Sequence, residues 1–301
     1  MPRAPFAAPA PRGCYSGVMG EIASGEHAGT FPITVIEPRH GWLDLGIGEL
    51  LAHRELLYFF VWRDLKVRYK QTFFGAAWAV LQPVLLMAVF SVSLGRIPGV
   101  GPSGVPYPLF IFAGLVPWTL FAQSLTGASN SLVGGEAIIT KVYFPRLLLP
   151  FAAVGSFLLD FVIALGVLAL MLVLFGARPS LAVLWVPAFT LLALITALGI
   201  GTFLAAVNVR YRDVKYVVPF LVQIWLFASP VVYTSSLIPE RWRTLYALNP
   251  MTGVVEGFRW AVLGGPRADN LVLVSAAASV LILVGALLYF RRVERTFADV
   301  I

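Results

Sequence analysis

Six stretches of this 301-residue chain are long, apolar and almost free of charge: roughly 73–95, 107–130, 147–175, 181–207, 214–233 and 271–290. Each is near or above the ~20 residues that carry an α-helix across the ~30 Å hydrocarbon core of a bilayer. The composition agrees, with 59% hydrophobic and 12% charged residues and a mean hydropathy of +0.84. A soluble domain runs at about 45–50% apolar and 25% charged. The expected fold class is therefore an all-α polytopic membrane protein with six transmembrane helices over residues 73–290.

An even number of spans puts both ends of the chain on one side. On that side lie Arg54, Arg63, Lys66, Arg68, Lys70, Lys141, Arg146, Arg210, Arg212, Lys215, Arg291, Arg292 and Arg295; on the other lie Arg96, Arg178, Arg241, Arg243, Arg259 and Arg267. Thirteen against six places both ends in the cytoplasm by the positive-inside rule. The net charge of +7 and pI of about 9.8 thus read as topology signals and attraction to anionic membrane lipids, with no nucleic acid among the expected partners. Residues 1–72 and 291–301 are expected inside and 234–270 outside. An impermeant thiol reagent should then label a cysteine at position 255 but not one at 300 in intact cells.

Between and before the spans the pattern changes. Residues 1–48, rich in Ala, Pro and Gly, show no sustained apolar period and read as a flexible cytoplasmic tail. Neither a signal peptide nor a lipidated terminus is expected around Cys14, the single cysteine, which also rules out an intramolecular disulfide framework. Residues 49–72 form a helix whose apolar run, Leu56 to Trp62, is too short to span. With Arg63, Lys66 and Lys70 on one side, it is expected to lie amphipathically in the interface. Prolines at 83, 117, 150, 187, 219 and 230 sit inside or at the ends of spans, where kinks are tolerated in a bundle. Segment 234–264 is too polar and broken to cross alone and too apolar for a free loop. Two short re-entrant or interfacial helices fit it, with an interfacial cap and a channel gate as equal alternatives.

No G-x-x-x-x-G-K-[ST] occurs, so this chain is not expected to hydrolyse ATP. All three histidines, His27, His40 and His53, precede the first span, and no His/Asp/Glu cluster has catalytic or metal spacing on the membrane segments. No cofactor or metal is expected, and a membrane-embedded acyltransferase or protease lacks visible machinery. Asp160 is the one acidic residue clearly inside a span. An ion-driven carrier would need more than that, and a packing or hydrogen-bonding role suits Asp160 better.

Three blocks in order carry a resemblance. Arg63-Asp64-Leu65-Lys66-Val67-Arg68-Tyr69-Lys70-Gln71-Thr72 continues to Gly75, Trp78 and Leu81-Gln82-Pro83. Asn208-Val209-Arg210-Tyr211-Arg212-Asp213-Val214 is followed by Ser229-Pro230. The third block contains Leu248-Asn249-Pro250-Met251 and Gly257-Phe258-Arg259. Together they resemble the ABC-2 type permeases of the O-antigen, teichoic acid and capsular polysaccharide export group, over about residues 50–290. The resemblance implies a bacterial cytoplasmic (inner) membrane protein acting with a second copy of itself. It further implies two cytoplasmic ATPase subunits that hold ATP and Mg, and export of a glycan on a polyprenyl pyrophosphate. The tail has no counterpart in that pattern.

The resemblance assigns ATPase coupling to the connection 130–145, here with Glu136, Ile139, Lys141 and Tyr143, joined by Arg212 on the next such connection. Arg63, Lys66, Arg68 and Lys70 are candidates for the pyrophosphate or a lipid head group by charge-assisted bonds, and equally for anionic lipid. Trp78, Trp118, Phe121, Trp225 and Tyr233 are candidates to line a channel, because aromatic faces stack on sugars in any register; packing or lipid anchoring explains each as well. Trp242, Tyr246, Asn249, Pro250, Arg259 and Trp260 belong to the expected external gate. Arg259, in an apolar stretch, is expected to be paired, with Glu256 the nearest carboxylate in sequence.

Overall fold

The computed structural model describes residues 47–70, 77–95, 97, 104–177, 180–264, 271–294 and 297. The tail expected over 1–48 lies outside them but for its last two residues. Twelve α-helices are described: α1 (Ile47–Ala52), α2 (Arg54–Lys70), α3 (Ala77–Leu94), α4 (Tyr107–Gly134), α5 (Glu136–Ile139), α6 (Leu148–Ser156), α7 (Leu158–Leu174), α8 (Val186–Arg210), α9 (Val214–Phe227), α10 (Glu240–Ala247), α11 (Pro250–Leu263) and α12 (Leu271–Glu294). Short 3₁₀ turns at Leu181–Trp185 and Ser235–Leu237 precede α8 and α10.

Five stretches are long and apolar enough to cross a membrane: Ala77–Leu94, Tyr107–Gly134, Leu148–Leu174, Leu181–Arg210 and Val272–Glu294. The chain is an integral membrane protein. Where the sequence leads one to expect a span over 214–233, helix α9 stops at Phe227 after 14 residues, a length of about 21 Å. Apolar character runs on to Tyr233, but Pro230 has no N–H to continue a helix, and the chain turns through 228–233 instead.

Helix α4 is the axis of the bundle. Of its 28 residues 17 are buried, against α8, α6, α7, α11, α3 and α9. Small residues bring backbones together, as they do where lipid offers no hydrophobic drive for association. Gly201 of α8 lies against Ala128 and Leu125 of α4, and Gly199 lies against the backbone of Leu283 in α12. Polar links reinforce these seams: Asn208 Nδ2 donates to the Ser129 carbonyl at 2.9 Å, and Thr196 Oγ1 to Ser279 Oγ at 2.9 Å.

One apolar cluster joins Phe60, Leu132, Phe144, Leu147, Val209, Leu287 and Phe290, so the ends of α4, α8 and α12 and the start of α6 share one end of the bundle with α2. The connections 135–147 and 211–213 therefore emerge together. Segment 234–264 sits at the other end as two short helices, neither an extended loop nor two further crossings. Val255 is fully buried in α11, so it cannot report accessibility as the sequence suggested. Exposed Ser236 is the sound position for a labelling cysteine on this side.

Helix α2 has two faces. Buried Phe60 and half-buried Leu57, Val61, Asp64 and Arg68 turn to the bundle; Tyr58, Phe59, Trp62, Lys66 and Lys70 are exposed. The third apolar segment breaks at Phe157 into α6 and α7, and Arg68 reaches that break. Its Nη1 donates to the Ser156 carbonyl (3.3 Å) and to Asp160 Oδ2 (2.9 Å), its Nη2 donates to Ser156 Oγ (2.7 Å), and its guanidinium lies 3.8 Å from the Phe157 ring centre. The Tyr69 hydroxyl donates to the other carboxylate oxygen of Asp160. An acid inside a span is thus held by α2.

Removing either partner leaves a part-buried charge without its mate, which in a mostly desolvated site costs a few kcal/mol, while an exposed pair is worth ~0–1 kcal/mol. Asp160→Asn and Arg68→Gln should each destabilise the detergent-solubilised chain by ~1–3 kcal/mol, the double variant by less than the sum. Breaking the more exposed Arg63–Asp64 pair (2.9 Å) with Arg63→Gln should cost under ~0.5 kcal/mol. Thermal or denaturant unfolding measures all four; additivity of Arg68 and Asp160 would contradict the pairing.

Candidate functional site

At the end that gathers the connections, α4 runs beyond the expected 130 to Gly134, and Gly135 closes it by donating to Ser131 and Leu132 carbonyls at 3.0 and 3.1 Å. One turn of helix, α5, follows. Ile139 packs with Ile138 against the apolar cluster and Glu136 is half-buried, whereas Lys141 and Val142 are exposed and Tyr143 is 83% exposed. Phe144 pins the projecting turn by inserting beside Phe60, ring centres 5.3 Å apart. Arg212 is exposed on the short α8–α9 connection. Lys141, Tyr143 and Arg212 thus lie on the same end and are free of the core, and Ile139 is anchored in it.

The four basic residues grouped in the sequence separate in space. Arg68 is committed to Asp160 and Ser156, and Arg63 to Asp64. Lys66 and Lys70 stay exposed, Lys66 with its ammonium 5.3 Å from the Trp62 ring centre. Of these four, the two lysines present their charge on the outer face of α2, interleaved with Tyr58, Phe59 and Trp62.

The aromatic candidates divide as well. Trp118 and Phe121 are buried inside the protomer, in a run with Trp225 whose rings meet tilted at 5.4 Å and edge-on at 5.3 Å between centres. The run joins α4 to α9, and the Trp118 and Phe121 rings are enclosed in the core. Trp78 is 52% exposed on α3, and Tyr233 is half-buried after α9.

Helices α10 and α11 meet at Leu248-Asn249. Asn249 Oδ1 caps α11 by accepting from Met251 N (3.1 Å) and also accepts from Trp225 Nε1 (2.9 Å). Its amide nitrogen donates to the Ala228 carbonyl (3.2 Å) and Ser229 Oγ (2.9 Å). Pro250 occupies the first helical position, where a missing N–H costs nothing. Asn-Pro in this motif is therefore a helix start welded to the end of α9. Ser275 Oγ donates to the Ala247 carbonyl (2.8 Å), fixing the turn against α12.

Arg259, 7% exposed, is paired as expected but with different partners. Its Nε donates to the Phe110 carbonyl (3.1 Å), Nη1 to those of Pro230 and Tyr233, and Nη2 to that of Val231, with the guanidinium 3.7 Å from the Phe110 ring centre. Glu256 acts on it as a nearby opposite charge. Sequence reading missed Gly114, where a Cβ would overlap the Arg259 guanidinium, and Tyr107, whose hydroxyl donates to the Val232 carbonyl at 2.9 Å. Half-buried Trp260 packs at the edge of the core and exposed Trp242 does not.

No group of three His, Cys, Asp or Glu side chains able to hold a metal assembles among the described residues. Residues 55–263 match the family described as ABC-2 type transporter. An O-antigen export system permease protein, RfbA, of Myxococcus xanthus is 35% identical over 258 residues, 84% of this chain and 98% of that protein. The RfbA permease of Klebsiella pneumoniae is 28% identical over 79% of this chain and 92% of its own. The polysialic acid transport protein KpsM of Escherichia coli is 25% identical over 77% of this chain and 91% of its own. With the match covering most of its length, the chain belongs to the ABC-2 type transporter family, whose members are membrane permeases served by a separate ATPase subunit.

Proposed function

We propose that this chain is the permease subunit of an ATP-driven exporter that moves a lipid-linked polysaccharide, an O-antigen or similar glycan, across the bacterial cytoplasmic membrane. One observation carries the reading: the alignment runs through 98% of an O-antigen export permease at 35% identity. Two copies of the chain form the conduit, and two ATPase subunits bind beneath it. The glycan arrives on a polyprenyl pyrophosphate. Both ends of the chain are cytoplasmic, in keeping with the excess of basic residues on the end that holds α2 and the 135–147 connection.

In this reading α9 is the fifth of six crossings. Its ~21 Å falls short of a ~30 Å core, and the turn 228–233 with the α10–α11 hairpin completes the depth. The turn Lys141-Val142-Tyr143 is the part that docks on the ATPase, with Glu136 and Arg212 beside it, because an aromatic ring 83% exposed and backed by a buried Phe144 suits a socket in a partner. Lys66 and Lys70 are the head-group cations on α2; Arg68 is engaged elsewhere. Trp78 and Tyr233 remain as channel-lining rings. In the gate, α11 with Arg259 and Trp260 is the fixed part, since Gly257 lies so close to Phe189 that a Cβ would overlap the ring, and α10, exposed at Trp242 and half-buried at Tyr246, is the part able to tilt. Asp160, held by Arg68 and Tyr69, is not a free proton carrier, so nothing favours an ion-driven flippase.

Tyr143→Ala should weaken association with the ATPase by about tenfold, the effect of losing one interface anchor, and the reversals Glu136→Lys and Lys141→Glu should uncouple hydrolysis from export. Co-purification of the two subunits and glycan appearing at the cell surface are the measurements. Unchanged assembly and export in all three variants would remove the 130–145 connection from the coupling role.

A further inference from the structure

A groove of about 540 Å³ opens beneath α10, between the end of α9, the α10–α11 turn and α12. Its walls are Trp225, Trp242, Leu245, Leu248 and Ile282, with the polar groups of Asn249 and Tyr246 among them. The Trp225 and Asn249 groups have no capacity left. Trp225 N–H is given to Asn249, and the Asn249 amide to Ala228 and Ser229. Tyr233 gives its hydroxyl proton to the Phe227 carbonyl (3.0 Å), so in the 2.8 Å contact between the two phenols Tyr246 is the donor. The rest of the lining is mainly apolar carbon. An apolar guest matches such walls.

Depth and charge identify the guest further. The α10–α11 turn is bonded to Ser275, about 6 Å along α12 from its start, and Ile282 lies about 16 Å along. The groove therefore occupies half of a bilayer, at the level of lipid tails. At its mouth α10 begins with Glu240, Arg241 and Arg243; Arg241 lies over the Trp242 ring at 5.8 Å, and Arg243 is 3.7 Å from Glu240, which is 90% exposed. Two arginines at head-group level offer charge-assisted bonds to a phosphate. We propose that the groove binds one acyl chain of an anionic phospholipid of the leaflet in which α10 lies, with the lipid phosphate at Arg241 and Arg243. The site holds α10 from below as a fitted wedge, independently of which glycan the chain exports.

The test uses the full chain in liposomes containing phosphatidylglycerol with a photoreactive diazirine on its acyl chain, followed by mapping of adducts. Labelling per residue in 238–250 should exceed that at Val173 and Leu174, exposed apolar residues of α7 away from the groove, by about tenfold. Ala228→Trp, which fills the groove from an exposed position, should abolish that excess and leave Val173 and Leu174 unchanged. The paired change Arg241→Gln and Arg243→Gln should erase a preference of about threefold for phosphatidylglycerol over phosphatidylcholine probes while the acyl-chain adducts persist. Equal labelling of groove and control, insensitive to Ala228→Trp, overturns the proposal. So does an unlabelled groove whose residues cross-link to a second copy of the chain or are protected by added glycan. Neither readout involves export, so their failure is distinct from failure of the transport reading.

Discussion

A peptide carbonyl inside a bilayer has no water to bond, and a helix that stops short leaves its last carbonyls exposed to that cost. Helix α9 stops at Phe227, and each carbonyl from there to Tyr233 has a donor. Tyr233 serves Phe227, Asn249 serves Ala228, Val231 N serves Ser229, Arg259 serves Pro230, Val231 and Tyr233, and Tyr107 serves Val232. The donors come from α4, the α10–α11 turn and α11 as well as from the segment itself. Satisfying one broken helix thus ties together the elements at this end of the bundle. Arg68 repeats the device at the other end, bonding the Ser156 carbonyl where α6 gives way to α7.

These two knots sort the structure into fixed and movable parts. Helix α11 is locked by Arg259, Gly257 and Asn249, and α2 by Arg68, Tyr69 and Phe60. What lies outside the knots is exposed and lightly held: the tip Lys141–Tyr143 at one end and α10 at the other. In the proposed reading this division lets a motion delivered at Lys141–Tyr143 reach α10 through a rigid frame, which a uniformly soft bundle would dissipate.

The spans were legible because runs of apolar residues at bilayer length admit few alternatives, and the hairpin of 234–264 was legible because Pro239, Asn249 and Pro250 punctuate it. The true end of α9 was not, since hydropathy continues through Pro230 to Tyr233. Arg259 was recognised as a charge in need of partners, yet those partners are carbonyls far away in sequence, at Phe110 and 230–233; a search for a carboxylate at helical spacing could find only Glu256. Arg63, Lys66, Arg68 and Lys70 look alike in a row, and only the fold separates the two committed arginines from the two exposed lysines. Trp118 and Phe121 differ from Trp78 in the same way, by burial that an all-apolar helix does not encode in its pattern.

The account stands on transport being driven by a separate ATPase, through a permease in which Asp160, the acid inside a described span, is held by Arg68 and Tyr69. Reconstituting the purified chain in liposomes with and without its ATPase subunit, and measuring transfer of a lipid-linked glycan under ATP or under an imposed proton or sodium gradient, tests this directly. Transfer only when both ATPase and ATP are present is the expected result; transfer by the chain alone under an ion gradient would contradict it.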